Sequence, residues 1–192
     1  MKYFFGIRKR YARDAFCLRV DYSFDVIDDP LKLNFGAVSQ QQFLTIFSYQ
    51  AGAGKTAEDL QNNNIGWFVF SPRITSILKS SRNSDDLCWF KLPLSVTDFH
   101  PALEGYCAFG LKRQLTCLNT AGAEIRWTTD SAGHKKPLAL IDYQLFGAEI
   151  PEACDVFYIS DYPFFPIVSA ELAERIAALR PSGFVFERIE AI

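Results

Sequence analysis

Apolar and polar residues alternate in short bursts along most of this chain, and only two stretches repeat clearly at helical spacing. The short runs, bounded by turn residues, read as strands over 2–7, 15–22, 43–49, 66–70, 87–92, 105–110, 113–119, 123–129, 137–145, 155–160 and 184–189. Residues 123–129 and 137–145 flank the polar, glycine-bearing stretch 130–136, which predicts a hairpin with a long loop. The first helix starts at Ser71-Pro72, because serine can cap and proline at the first helical position loses only an N–H that has no partner there. Ile74, Ile77 and Leu78 then share a face, and Ser80-Ser81-Arg82-Asn83 ends the helix. The second starts at Ser169 and runs from Ala170 to about Leu179, with Leu172, Ala173, Ile176 and Leu179 as a core-facing stripe. Glu171 and Arg180 suit the helix dipole, and Pro181-Ser182-Gly183 stops the helix before the last strand. Thr56 with Asp59 predicts a capping-box-like start of one further short helix. The sum is one α+β domain over residues 1–192: a mostly antiparallel sheet with a few packed helices. No internal repeat stands out at periods of 20–50 residues.

Composition sharpens this reading. A chain of 192 residues can bury roughly 70% of its extended surface, enough for a core without staples. Its 18 Phe, 8 Tyr and 3 Trp against a single Met favour sheets, where aromatics fit the half-buried pleat. The run 65–70 is far short of the ~20 residues that cross a bilayer, and no apolar segment follows the basic N-terminal residues. Neither a membrane association nor a secretory signal is therefore expected. The five cysteines are odd in number and show no C-x-x-C spacing, so they predict reduced, mostly buried thiols and a cytoplasmic protein.

The net charge of -2 disfavours general nucleic-acid binding, but its distribution is uneven. Residues 1–136 carry a net +4 and residues 137–192 a net -6. The acidic end can steer a basic partner. Glu149, Glu152, Asp155 and Asp161 lie in or beside predicted turns and are expected at the surface. Beside them, Asp161-Tyr162-Pro163-Phe164-Phe165-Pro166 is stiffened by two prolines and carries three aromatics. A stiff aromatic loop suits a protein interface, and a tight connection whose rings fold into the core is the competing use. The candidate partner contacts are thus Glu149, Glu152, Asp161, Tyr162 and Phe164.

Catalytic, cofactor and metal signals are weak. Gly52-Ala53-Gly54-Lys55-Thr56 ends like a phosphate-binding loop, but Tyr49 occupies the position where that pattern requires its first glycine. A flexible Gly-Ala loop without a nucleotide is expected. His100 and His134 are far apart and show no ligand spacing, so no metal site is expected. A Cys–His nucleophile pair would have to be assembled in space, without any local motif. Asp28-Asp29 and Asp85-Asp86 are adjacent carboxylates that point to opposite faces of an extended chain, which suits turns and caps better than an acid/base dyad.

The C-terminal third carries a family likeness. Asp155-Val156-Phe157-Tyr158-Ile159 is followed by a turn and Pro166-Ile167-Val168-Ser169, then Glu171–Ile176 and Gly183-Phe184-Val185-Phe186-Glu187. Strand, helix start, amphipathic helix and strand in this order resemble a bacterial immunity-protein family of polymorphic toxin systems, the myxobacterial-type immunity domain. Ser71–Leu78 and Trp89-Phe90-Lys91-Leu92-Pro93-Leu94 resemble the family's upstream helix and strand. The likeness spans roughly residues 66–189 and is firmest over 155–189. It implies a binding protein that neutralises a cognate secreted toxin, with no catalytic residues and no cofactor, and it is compatible with a homo-oligomer. The competing function is an enzyme or small-molecule binder with a spatially assembled pocket.

Overall fold

The computed structural model describes residues 2–15, 17–21, 30–46, 48–50, 56–93, 101–129, 133, 135–160 and 162–192. In chain order these form β1 (Lys2–Lys9), β2 (Cys17–Asp21), α1 (Gln40–Ile46), β3 (Ser48–Gln50), β4 (Leu60–Asn63), β5 (Phe68–Phe70), α2 (Pro72–Lys79), β6 (Leu87–Lys91) and β7 (Cys107–Leu111). There follow β8 (Gln114–Leu115), β9 (Leu118–Thr129), β10 (Lys135–Leu145), β11 (Val156–Ile159), β12 (Tyr162–Ser169), α3 (Ala170–Ala177) and β13 (Phe184–Ala191). Short 3-10 turns lie at Pro30–Phe35, Ser84–Asp86, Pro101–Leu103 and Gly147–Glu149.

The strands make two sheets rather than the expected one: β8-β11-β12-β1-β13-β10-β9 and β3-β2-β4-β5-β7-β6. Most pairs are antiparallel, as expected, but β10–β13, β8–β11 and β2–β4 are parallel. The division follows from a unit that occurs twice. A hairpin (β4–β5) leads into a helix (α2) and then a strand (β6), with β7 inserted antiparallel between β5 and β6. The second copy is β11–β12, α3 and β13, with β1 inserted antiparallel between β12 and β13. Ile74, Thr75 and Leu78 of α2 are buried, and Leu172, Ala173 and Ile176 take the same places in α3. The two helices touch each other. One core is shared by both sheets, joining Phe4, Ile7, Phe157 and Val168 to Phe68, Phe70, Phe109 and Leu111. A second cluster around Phe43, Trp67 and Phe90 packs under α1.

Two buried aspartates tie the copies together. Ser71, before α2, receives the chain from β5 and donates its hydroxyl to Asp59 at 2.7 Å. Ser169, before α3, does the same to Asp155 at 2.8 Å while accepting from the Leu172 N–H. The turn after each helix then grips the aspartate of the other copy. The Ser182 N–H, after α3, donates to Asp59 at 2.9 Å, and the Arg82 N–H, after α2, donates to Asp155 at 2.7 Å. Arg73 pairs with Asp59 and Arg82 with Asp155. These donors hold both carboxyls below their ordinary range even though burial pushes the other way. Gly183 (φ 85°) has no room for a side chain: a Cβ there would meet the Leu60 carbonyl oxygen at 2.3 Å.

Several local expectations change. Of the expected strand 43–49, residues 43–46 are helical and the strand starts only at Ser48. Ser39 and Gln42 form a reciprocal capping box, with Gln42 N–H to Ser39 Oγ at 3.2 Å and Ser39 N–H to Gln42 Oε1 at 2.8 Å, and α1 follows, burying Phe43. Thr56 and Asp59 start no helix. Thr56 bridges Ala15 and donates to Asp14, and the chain enters β4 at Leu60. The expected aromatic loop belongs to β12. Its two prolines fall between Tyr162 and Ile167, a stretch without ladder partners on β11 or β1, so their missing N–H groups interrupt nothing. Asp155, expected at the surface, is buried in its clasp. The loop resembling a phosphate site (51–55), both histidines, Asp28-Asp29 and Asp161 lie outside the described residues.

The hairpin of residues 123–129 and 137–145 is present and longer than expected, as β9 and β10. Among the described residues it is laddered to the rest of the sheet at Gln144↔Glu190 and Leu145↔Ala191; beyond these it is a two-stranded arm whose inner face, with Leu140 and Tyr143, is buried in the shared core.

Candidate functional site

Phe164 and its neighbours lie where the two sheets meet. β12 runs beside β1, and Phe165 turns inward onto Gly6, where an added Cβ would stand 2.5 Å from its ring. Tyr162 is also buried, at 6% exposure, with its ring 4.7 Å from that of Phe164 and 5.8 Å from that of Phe165. Phe164, at 53%, stands in solvent on this packed base. Of the three aromatics, one is thus presented outward and two hold it in place.

The exposed ring borders a cleft of about 260 Å³ whose other walls are Ile7, Arg8, Lys9, Phe68 and Phe165. Along β1 Gly6 and Arg8 share one face, against Phe165, and Ile7 and Lys9 the other, with Lys9 at Phe68; Ile7 is buried and Arg8 and Lys9 are half-buried. The Arg8 guanidinium lies 3.6 Å over the Phe165 ring and pairs with Glu187. Burial disfavours its charge, and Glu187 more than offsets that, raising its pKa. Lys9 Nζ sits 4.5 Å over the Phe68 ring and donates to the Gly66 and Trp67 carbonyls. Burial alone draws its pKa down to about 8. In the sequence Arg8 and Lys9 show only as part of the basic N-terminal charge. The signal that places them is parity along the strand: Arg8 falls on the face of Gly6 and Lys9 on the face of Ile7.

The acidic candidates lie elsewhere. Glu149 is exposed in the 3-10 turn Gly147–Glu149, anchored where the Gly147 N–H donates to the Ile192 carbonyl at 2.7 Å. Glu152 is exposed in the turn leading to Asp155, whose carbonyl accepts from the Ser169 N–H. Ser169 is five residues from Phe164, about 17 Å along an extended strand at ~3.4 Å per residue. The chain therefore brings Tyr162 and Phe164 together and sets the Glu152 turn at the other end of β12. Beside that turn is a second hollow, about 280 Å³, with Arg82, Asp86, Arg113 and Cys154 in its wall. Its arginines already have carboxylate partners, Asp155 and Asp86.

Cys154 lines the second hollow, and Cys117 lies in the core. Burial pushes the Cys117 thiol up to about 12 and the Cys154 thiol up to about 11, away from the reactive thiolate. Among the described residues no group of three or more His, Cys, Asp or Glu side chains could hold a metal ion. Among them, too, no helix is long and apolar enough to cross a membrane. Asp86 serves a turn, as expected of its pair, accepting from Asn83 and Arg113. What these surfaces offer is contact: an aromatic knob on a rigid base, a cationic cleft beside it, and carboxylates on firmly tied turns.

No curated protein matches the chain. The sequence pattern described as Immunity protein family (Imm11) matches residues 21–191, reaching well into the N-terminal third, where the motifs gave little support, and the chain belongs to that family.

Proposed function

We propose that this immunity protein neutralises a cognate secreted toxin by binding it directly, inside the cell that makes it. The observation that carries this reading is the family match over residues 21–191. In this reading Phe164 is the desolvated anchor, Tyr162 supports it, and Asp161 flanks it. Glu149 and Glu152 form a charged rim that steers a basic toxin. Large aromatics on a packed base make hot spots, whereas rim charges act mainly on encounter.

The test is a kinetic binding assay against the toxin domain encoded beside this protein. Phe164→Ala should speed dissociation by about 30-fold, the equivalent of a ~2 kcal/mol hot spot. Glu149→Lys combined with Glu152→Lys should slow association several-fold. That effect should fade with added salt, because the Debye length is about 8 Å at physiological ionic strength. Absence of binding by the wild-type protein would end this reading. Binding with both rates unchanged would move the contact surface elsewhere.

A further inference from the structure

β9 is the last strand of the seven-stranded sheet, and among the described residues its outer edge faces no other strand. The arm it forms with β10 leaves Trp127, Leu138 and Ile141 at 51%, 57% and 44% exposure. Proteins usually blunt such an edge with lysine, proline or a bulge. β9 contains neither lysine nor proline. Its irregular stretch lies near the root, where the register passes from Asn119 to Glu124 while β10 moves only from Gln144 to Asp142. From Glu124 outward the pair carries two further bulges, but their extra residues, Leu138 and Ile141, are on β10, and β9 itself advances one residue at a time.

Glu124 stands directly opposite Asp142, and both are exposed. Like charges directly opposite each other destabilise a strand pair. Arg126 stands opposite Ala139 and is exposed as well. No ion pair among the described residues involves Glu124, Asp142 or Arg126.

We propose that the β9 edge pairs with the β9 edge of a second copy of this chain, antiparallel, about a two-fold axis at Ile125. That register sets Glu124 of each copy opposite Arg126 of the other, which brings a cation to each Glu124–Asp142 pair. It sets Ile125 opposite Ile125, extending the half-buried apolar face that Ala123 and Ile125 already present to the core. It also sets Trp127 opposite Ala123, a large side chain against a small one. Ala123–Trp127 is the whole of the self-complementary stretch, and the irregular root lies just beyond it. A closed two-fold pair consumes both open edges, so growth stops at the dimer.

The experiment is sedimentation velocity on the full chain without any toxin, from about 10 µM to about 1 mM, since a short ladder gives a weak complex. The wild type should pass from monomer to dimer over this range. Glu124→Arg and Arg126→Glu, each alone, put like charges opposite each other and should weaken the dimer at least tenfold. The double exchange Glu124→Arg with Arg126→Glu restores opposite charges across the axis and should recover it. Independently, Ile125→Cys should give a disulfide-linked dimer on mild oxidation, because directly opposed Cα atoms lie about 4.5–5.5 Å apart, within the span of a disulfide. A wild type that stays monomeric at about 1 mM overturns the proposal. So does a dimer that ignores both single charge changes, and so does Ile125→Cys protein that remains unlinked while dimeric.

Discussion

Asp59 and Asp155 show at the residue scale how a costly burial becomes a fixed point. Each carboxylate is almost out of solvent, yet each accepts from a serine hydroxyl, a backbone N–H and an arginine. Their pKa values are lowered relative to an unfolded value of about 3.9. The sign follows from linkage. The stabilisation is fully present above the unfolded pKa and is lost as pH falls through the lower folded value. Urea unfolding followed from pH 7 downward should therefore show stability falling below about pH 4. Asp155→Asn should lower stability at pH 7 by about 1.5–3 kcal/mol, the worth of hydrogen bonds to a charged group, and should flatten the acid limb. The same loss from replacing an exposed carboxylate such as Glu152 would show that the clasp contributes nothing special. Gly6 is a second fixed point. Gly6→Ala forces its Cβ against the Phe165 ring and should cost about 1–3 kcal/mol, as overpacking does, measurable as a lower melting temperature.

Among the elements, α2 and α3 occupy equivalent places and should respond alike. Leu172→Ala and Ile176→Ala should each destabilise by about 2–5 kcal/mol, the range for buried truncations, and so should Ile74→Ala and Leu78→Ala. Normal stability with impaired toxin binding would instead make either stripe a contact surface. Both helices were legible in the sequence because a serine start, an apolar stripe and a turn cluster agree within one short window. The β9–β10 hairpin was legible for the same kind of reason. What the local pattern missed needed partners from afar. Thr56 and Asp59 look like a cap, but Asp59 is claimed by Arg73 and by Ser182 more than a hundred residues on. Asp155 looks like a surface acid until Arg82 and Ser169 reach it. The Ser39–Gln42 box was local and readable, yet the β-branched and aromatic residues after it favoured a strand. In the candidate site, the aromatic character of 162–165 was readable, but which ring points outward was not. That is decided by Gly6, on the first strand of the chain.

For the whole molecule, the two β-hairpin–helix–strand copies raise the question of whether they are separate folding units. Their contacts argue that they are not. Each clasp takes its aspartate from one copy and its closing turn from the other. The inserted strand of the second copy is β1, from the far N-terminus, while β7 completes the first. Phe70 of the first copy packs edge-on against Phe184 of the second, with ring centroids 6.3 Å apart. Opening either copy would strip the shared core and leave a buried carboxylate without its donors, a penalty too large for a stable half. We therefore expect unfolding as one unit. Trp67, buried just before β5, and Trp89, in β6, both belong to the first copy, so tryptophan fluorescence weights that copy, while far-UV circular dichroism reports both sheets. The two signals should give the same urea midpoint and slope, as a two-state transition requires. Asp155→Asn, a change in the second copy, should shift both midpoints together and leave the slope unchanged. A fluorescence transition that keeps its wild-type midpoint while the dichroism midpoint falls would show that the six-stranded sheet stands without its neighbour, and the clasps would then be joints between independent units.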